Sequence, residues 1–376
     1  MNARSLFLFL YLVLLININI TANEEKSKYA LIIGVANYPK NTGWNPISSN
    51  NDVKILEDAL LRQGFLKENI TIIMDDDAKK QGIMNQLDIL NNKVSTGDIV
   101  VIHFSGHGQQ IIDDNGDEPD GYDESLIPFN ANIRFSNFYK GENHLRDDEF
   151  SSVLTKLRHR LGKTGNILVI LDSCHSGTGT RGFQKSRGTQ VKFQSNDQIN
   201  NEILVDKRPI DLDEYRVINE DEVAPLVTFS ASGPEQLNYE YTNRETETSY
   251  GSLSYAFCKA LTNVDSTTTY RGLFDRILVE MNSIAPKQNP QAEGNLDQLL
   301  FRGQTIKGTP YFKIIDKIGK GEYSLSAGNL HGIYEGTDVG LYDIDTYNFI
   351  EAKPKAIGTI INATMLTSTL QIESNQ

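Results

Sequence analysis

The sequence predicts an α/β protein with a largely parallel sheet, helices on both faces of that sheet, and a small all-β appendage at the C-terminal end. From residue 29 onward, apolar runs alternate with amphipathic helical segments. Some of these runs, such as residues 29–35, are apolar almost throughout, which is typical of strands buried on both faces. After about residue 306 short β-like runs are separated by glycine-containing turns. The first pattern predicts a doubly covered parallel sheet and the second a separate β unit.

The individual elements follow from the same patterns. Five strands are expected at residues 29–35, 70–74, 99–104, 167–171 and 226–230. Five helices are expected: one that Ser49 or Asn50 caps and that ends near Gly64, and others at residues 81–94, 147–161, about 250–261 and about 270–285. The β appendage is expected to use residues 311–315, 340–342, 357–361 and 369–372.

These elements divide the chain into a leader at 1–22, an α/β domain at 27–305 and a small β domain at 306–376. Within the α/β domain, residues 183–222 separate a first part (27–182) from a second part (223–305). This 40-residue stretch is polar and carries basic residues, and loops of such length are usually functional or disordered. We expect it to be exposed and mobile.

The N-terminus has the features of a signal peptide. Arg4 precedes an unbroken apolar run at residues 6–16, and Ala22 offers a small residue before a polar stretch. The run is too short for a bilayer of about 30 Å, so cleavage and a secreted or periplasmic location are expected, with no stable membrane insertion afterwards. A retained membrane anchor is the alternative.

Composition excludes some partners. The formal net charge is −13, which argues against non-specific binding to nucleic acid or to anionic membranes. Of the two cysteines, Cys258 lies in a helix-like apolar stretch, where a small buried hydrophobe is the expected role.

The other cysteine, Cys174, lies in a turn that follows a strand, as does His107. The third strand ends in Ser-Gly-His-Gly at 105–108, and the fourth in Asp-Ser-Cys-His-Ser-Gly at 172–177. Active sites of parallel sheets lie beyond the carboxyl ends of the strands, so His107 and Cys174 can meet if these strands are neighbours.

Thiol chemistry needs this pairing, because free cysteine has a pKa of about 8.5 and an adjacent imidazole raises the thiolate fraction. The backbone N–H groups of Gly108 and Cys174 are candidates for an oxyanion hole. His175 is a rival base, although as the immediate neighbour of Cys174 it should point elsewhere.

The segments at 103–108 and 171–177, together with the acidic run at 117–124 and the later run at 251–257, resemble type I metacaspases and their bacterial relatives. The resemblance covers about residues 29–304 and implies a caspase-like cysteine endopeptidase that cleaves protein or peptide substrates after Arg or Lys. It implies a substrate pocket built from Asp52, Ser105 and Asp172. The two aspartate carboxylates of this pocket suit a guanidinium. The chemistry itself requires no cofactor.

The resemblance also implies a calcium site at Asp123, Asp147 and Asp148, with Ca²⁺ as an activator. A fourth acidic ligand of the family would fall near Arg181, where this sequence has no acid. A separate likeness of residues 113–124 to an EF-hand loop is rejected, because Glu118 replaces the required glycine. A solvated acidic loop is the alternative for the whole run.

Three other interpretations remain. One is a related thiol peptidase of the gingipain, clostripain or legumain kind. The second is a secreted, non-catalytic caspase-like interaction module, although degenerate copies of that sort commonly lack the His or the Cys. The third is a Cys/His metal site, for which two cysteines at this spacing offer too few ligands.

Self-processing in the 183–222 loop is a further expectation. The loop begins close to Cys174 and presents several basic side chains that an acidic pocket would accept, and its attachment to the site gives them a high effective concentration. The candidates are Lys185, Arg187, Lys192, Lys207 and Arg208.

Overall fold

The computed structural model describes residues 26–116, 118, 120–174, 185–195, 219–233, 236–305, 311–343, 346 and 352–372. The expected signal peptide at 1–22 lies outside the described residues. So do His175, Arg181, Lys207 and Arg208.

A six-stranded mixed sheet forms the centre of the α/β unit. Five strands are parallel and the antiparallel β11 closes one edge, so the expected largely parallel sheet is confirmed. In spatial order the strands are β11 (Gln291–Gly294), β8 (Leu226–Ser230), β7 (Asn166–Asp172), β3 (Ile99–Ser105), β1 (Lys28–Gly34) and β2 (Ile70–Met74).

Within the residues that the structure describes, five α-helices cover the two faces of this sheet, as expected. Side chains of successive strand residues point to opposite faces, so Ile102 joins one hydrophobic core and Val101 the other. The first core is closed by α2 (Lys80–Lys93) and α3 (Asp147–Leu161). The second is closed by α1 (Ser49–Arg62), α4 (Ser252–Ala260) and α5 (Tyr270–Ile284). Short 3₁₀ helices lie at Lys40–Thr42, Lys67–Asn69, Asp75–Ala78, Leu261–Asn263 and Asn329–His331.

One end of α1 differs from the expectation. The helix begins at Ser49, and Ser48 occupies the N-cap position without a side-chain capping bond. The Ser48 hydroxyl instead donates to a carboxylate oxygen of Glu240, 3.2 Å away. The start of α1 is therefore tied to a distant strand.

A second, antiparallel sheet stands beyond the ends of β3 and β7 and was not expected from the sequence. It consists of β4 (His107–Ile112), β5 (Tyr122–Ile127) and β6 (Leu145–Arg146). His107 therefore opens a strand. A hairpin of β9 (Glu240–Asn243) and β10 (Thr248–Gly251) leads into α4.

The C-terminal region forms a five-stranded antiparallel sheet with its own small core, as the β appendage requires. The sequence analysis missed β13, whose side chains are mostly half-buried and give no clean apolar run. In spatial order the strands are β12 (Ile314–Gly319), β13 (Glu322–Leu325), β16 (Ser368–Ile372), β15 (Ala356–Ala363) and β14 (Asp338–Leu341).

The loop between the two parts of the α/β unit was expected to be exposed. For its described portion this is wrong at several positions, since Arg187, Gly188 and Phe193 are buried. Residues 185–195, the Arg187 segment, lie across the carboxyl end of the sheet and against β4.

No helix in the described part of the chain is long and apolar enough to span a bilayer.

Candidate active site

His107 and Cys174 are brought to the same edge by the register of the central sheet. Strands β3 and β7 are parallel neighbours, and Ser105 pairs with Asp172 at their carboxyl ends. His107 and Cys174 each follow two residues later. The condition set by the sequence, that the two strands be neighbours, is therefore met.

The His107 ring is held in one orientation by its surroundings. Nε2 lies 2.8 Å from the backbone oxygen of Asn45, and the ring stacks on Trp44 with centroids 4.7 Å apart. A carbonyl oxygen only accepts hydrogen bonds, so Nε2 carries the proton in this contact. Nδ1 is buried and has no hydrogen-bond partner within the described chain. The neutral ring thus keeps an available lone pair on Nδ1, as a general base requires.

The electrostatics of His107 favour that neutral form. Burial lowers the pKa of His107 to about 4, the hydrogen bond to Asn45 opposes this shift, and the positive charge of Arg187 adds to it. The imidazole is therefore uncharged over the whole neutral range.

Cys174 is in its thiol form in this arrangement. Its side chain is almost fully buried, and Sγ donates to the backbone oxygen of Gln236 over 2.6 Å. The backbone of Cys174 has a separate role, because its N–H points to the Arg187 segment.

The backbone of Arg187 lies in the site as an extended peptide. The Arg187 carbonyl oxygen accepts from the N–H groups of Cys174 at 2.9 Å and Gly108 at 3.3 Å. The Arg187 N–H donates to the backbone oxygen of Asn238 at 2.8 Å. Two residues away in each segment, the Glu240 N–H donates to the backbone oxygen of Lys185 at 2.9 Å. The two expected oxyanion-hole donors therefore hold a peptide carbonyl, and the chain before that carbonyl pairs with residues 238–240.

The Arg187 side chain fills an acidic pocket. Nη1 lies 2.6 Å from Asp52 Oδ2, donates to Ser105 Oγ at 2.7 Å, and is 3.7 Å from Asp172 Oδ1. Nη2 lies 3.2 Å from Glu240 Oε1. The structure thus brings together the three pocket residues that the sequence suggested and adds Glu240, which the sequence analysis missed. We call these four residues the acidic pocket.

In the acidic pocket, burial disfavours the charged forms of Asp52 and Arg187, whereas the attraction between opposite charges favours them. Burial raises the pKa of Asp52 to about 6, while the Arg187 charge opposes the rise. Burial alone would lower the pKa of Arg187, but Asp52, Asp172 and Glu240 together raise it above its ordinary value. The guanidinium remains charged, and the carboxylates depend on it for neutralisation.

Asp172 is fixed by contacts of its own. Its Oδ1 accepts from Asn238 Nδ2 at 2.6 Å, and its Oδ2 accepts from the Ser254 N–H at the start of α4 at 2.7 Å. It therefore connects the end of β7 to the elements that build the other side of the pocket.

After Arg187 the segment continues along β4. A Cβ built on Gly188 would lie 2.1 Å from the Cys174 carbonyl oxygen, so this close approach requires glycine. Further on, the Phe193 N–H donates to Gln110 O at 2.8 Å, and the Phe193 side chain is buried against Tyr139 and His144. The peptide bond between Arg187 and Gly188 is thus held from both sides beside Cys174.

The expected calcium ligands lie in an acidic region formed by β5, which carries Asp123, and by the first turn of α3, which carries Asp147 and Asp148. They do not form one cluster: oxygens of Asp123 and Asp148 lie within 4.8 Å of each other together with Asp114, while Asp147 groups with Glu118 and Glu124. The sequence analysis had not assigned Asp114, Glu118 or Glu124 to the site.

The donor chemistry of this region fits a hard cation. The ligand atoms are carboxylate oxygens, and Asp123 Oδ1 is buried without a hydrogen-bond partner among the described residues. Burial raises the pKa of Asp123 and of Asp147 to about 7 each. Arg146 forms ion pairs with Asp123 and Asp114, so part of the charge that a cation would neutralise is already balanced.

Comparison with known proteins decides the family. The caspase domain family matches residues 27–301. The chain belongs to that family. Its curated relatives include metacaspase-4 of Arabidopsis thaliana, which is 30% identical over 179 residues, 46% of this chain and 39% of the relative. Metacaspase III c of Phaeodactylum tricornutum is 34% identical over 158 residues, 40% of this chain and 43% of the relative.

These matches confirm the expected metacaspase-like membership, although the matched region spans only about two fifths of the length of those relatives. A crystal structure of a Geobacter sulfurreducens protein has the same fold. It superimposes with a TM-score of 0.50 at 21% identity and covers 71% of this chain and 93% of the other.

The surroundings of His107 lead to a prediction about its titration. In Cys174→Ala protein, the imidazole should stay neutral, with its proton on Nε2, until the pH falls to about 4, because burial disfavours the charged ring. A further Arg187→Ala change removes a nearby positive charge, which contributes less to the shift than burial does, so the pKa of His107 should rise only slightly. Nitrogen NMR of the histidine rings measures both values. A pKa of 6.5 or higher for His107 in the first variant would contradict the prediction.

Proposed function

We propose that this protein is a cysteine endopeptidase that cleaves after arginine or lysine, with Cys174 as the nucleophile and His107 as its base. One observation carries the proposal. Arg187 has its guanidinium in the acidic pocket and its carbonyl oxygen on the N–H groups of Gly108 and Cys174. That is the placement which a substrate residue before a scissile bond requires.

The chemistry follows from these positions. The Sγ–H of Cys174 turns from Gln236 O to Nδ1 of His107, which accepts the proton, and the thiolate attacks the carbonyl carbon of the substrate. The N–H groups of Gly108 and Cys174 stabilise the resulting oxyanion. Nδ1–H then protonates the departing amine, the C–N bond breaks, and a thioester to Cys174 remains. Water, deprotonated by Nδ1, hydrolyses this thioester and regenerates the thiol.

Asn45 has an orienting role in that scheme. Its carbonyl oxygen fixes Nε2–H and directs Nδ1 away from itself, and its dipole stabilises the imidazolium while the ring holds two protons. Trp44 packs on the ring face and limits its rotation.

The other interpretations are less well supported. A non-catalytic module does not need a neutral imidazole with an available Nδ1, nor two N–H donors on one peptide carbonyl. A gingipain-, clostripain- or legumain-like peptidase would share the His and Cys placement, but metacaspase-4, metacaspase III c and metacaspase-1, which are curated relatives of this chain, favour the metacaspase interpretation.

Loss of either catalytic group should abolish activity. We expect Cys174→Ala and His107→Ala each to remove thiol-dependent hydrolysis of arginyl and lysyl peptides, whereas His175→Ala keeps a sizeable part. Peptides with Asp before the scissile bond should be cleaved at least about a hundred-fold less well, since no cation would then pair with the pocket carboxylates.

Two further variants test the pocket. Asp172→Asn should weaken the preference for basic residues, while Asp297→Asn, a change at a surface acid paired with Arg271, should not. Kinetics on a peptide set that differs only in the residue before the scissile bond measures these effects. Full activity of the Cys174→Ala protein, or a preference for Asp, would refute the assignment.

We further propose that the enzyme cleaves its own chain between Arg187 and Gly188. Arg187 follows Cys174 by 13 positions and is already seated, so the reaction within one molecule needs no encounter. Of the other basic candidates, Lys185 is exposed and Lys192 lies over the Tyr122 ring, with Nζ 3.4 Å from its centroid. Within the described structure, neither side chain forms an ion pair with the acidic pocket.

Self-cleavage should give one defined new end. Wild-type protein should yield a fragment that begins at Gly188, and Cys174→Ala protein should remain whole. Arg187→Ala should block this cut, whereas the matched Lys192→Ala should not. Intact-mass spectrometry and N-terminal sequencing identify the cut. The same fragment from the Cys174→Ala protein would mean that another protease trims a passive linker.

We propose calcium as an activator held by carboxylates of the region around Asp123, Asp147 and Asp148. Such a cation would neutralise repelling carboxylates and stabilise β5 and the start of α3, next to the strand β4 that begins with His107.

Millimolar calcium should raise the unfolding temperature of Cys174→Ala protein and the activity of wild-type protein, and a chelator should reverse both effects. Asp123→Asn should weaken both responses, because it removes a carboxylate charge from the site. Calorimetry measures binding directly. Unchanged stability and activity with chelator and with calcium would remove the proposal.

Export is also proposed, on the basis of Arg4, the apolar run at 6–16 and the small residue Ala22. A secreted or periplasmic enzyme would meet protein and peptide substrates outside the cell.

A further inference from the structure

We propose that Glu240 makes the pocket selective for arginine over lysine. The inference rests on the proposed function, since it concerns the residue before the scissile bond. It adds a specificity-determining residue from the second part of the α/β unit, on strand β9, to the residues contributed by α1, β3 and β7.

The guanidinium contacts divide between its two terminal nitrogens. Nη1 faces Asp52, Ser105 and Asp172, at 2.6, 2.7 and 3.7 Å. Nη2 faces Glu240 at 3.2 Å. Three residues thus contact one end of the planar guanidinium, and Glu240 contacts the other end.

Hydrogen bonds hold the Glu240 carboxylate in place, so it cannot readily move towards a smaller cation such as an ammonium group. One carboxylate oxygen accepts from the Ser48 N–H and the other from the Ser48 hydroxyl, just before the first turn of α1. Its own N–H is bonded to Lys185 O, which fixes the main chain against the bound peptide. The side chain is 4% exposed, so little water is available to solvate the carboxylate.

Lysine cannot make both sets of contacts. Its ammonium is a single compact charge, whereas the guanidinium is a rigid fork with separate donors. An ammonium that pairs with Asp52 and Asp172 leaves the buried carboxylate of Glu240 without its cation, and one that moves to Glu240 leaves the other two. An unpaired buried charge is strongly unfavourable, so lysine should bind and react less well.

A purely structural role is the rival explanation, since Glu240 also links Ser48 to β9. The two roles differ in their effect on substrate choice. A residue that only supports the fold would affect arginine and lysine equally when it is changed. A residue that pairs with Nη2 would affect arginine much more.

The test is a double-mutant cycle in the full chain, with Arg187→Lys combined with Glu240→Gln. The measured quantity is the first-order rate of cleavage between residues 187 and 188. With Glu240 present, Arg187→Lys should slow cleavage about ten-fold or more, which is the range expected for one charged hydrogen bond. With Glu240→Gln, the difference between arginine and lysine should shrink to about two-fold or less.

Two controls separate specificity from folding. Asp52→Asn removes a carboxylate from the shared end of the pocket and should slow the arginine and lysine forms by similar factors. Glu240→Asp keeps the charge but withdraws it from Nη2, and should give an intermediate ratio if Glu240→Gln proves too unstable to measure. Peptides with Arg or Lys before the scissile bond, offered to Arg187→Ala protein, give the same ratio from separate substrates.

The outcomes are distinct. If the ratio of the arginine rate to the lysine rate falls to about two or less in Glu240→Gln protein, the inference is supported. An unchanged ratio, or equal slowing of both forms, overturns it and leaves the proposed peptidase intact. No cleavage in protein that retains both Arg187 and Glu240, together with no hydrolysis of arginyl peptides by Arg187→Ala protein, overturns both.

Discussion

The buried guanidinium of Arg187 is the interaction on which the rest of the site depends. It neutralises carboxylates from α1, β7 and β9, which could not all remain charged in a dry pocket by themselves. The same residue presents its carbonyl oxygen to Cys174 and Gly108. One side chain and one peptide group thus connect the start of α1, the carboxyl ends of two sheet strands and the second part of the α/β unit.

This arrangement links the stability of the protein to the activity proposed for it. Removing one partner from a buried ion pair typically costs about 3–5 kcal/mol, because the remaining charge is left without compensation. An acidic pocket of this kind is therefore most stable when a cation fills it. The Arg187 segment fills it, and the anchoring of Phe193 on the far side of Gly188 keeps the segment in place. A peptide that competes for the pocket must replace both contacts.

The sequence predicted those parts of the site that depend on short, contiguous segments of the chain. The turns that hold His107 and Cys174 follow apolar strands, and parallel strands bring their carboxyl ends to one edge, so their meeting could be anticipated. Glu240 follows Asp172 by 68 positions and lies in a short polar strand without a motif. Its role depends on where Ser48 and Arg187 lie in three dimensions.

The small sheet that begins with His107 was missed for a related reason. Gln109 is buried although its residue type is usually exposed, because its side chain bonds Ile133 O, Val191 O and His144. Burial of a polar run through distant partners leaves no periodic signal. The burial of Arg187 follows the same rule, which is why a segment expected to be exposed lies inside the protein.

Trp44 gives the site an optical property. It is the single tryptophan of the chain, and its ring lies on the imidazole of His107 at an interplanar angle of 23°. Light absorbed at the red edge of the aromatic band excites this indole and not the tyrosines. The resulting emission comes from a single indole, which stacks on His107 and has Tyr38 as a second, tilted neighbour. A change in the charge or position of the imidazole alters the surroundings of the emitting group, so the unlabelled protein carries a fluorescent reporter at the place where the proposed chemistry occurs.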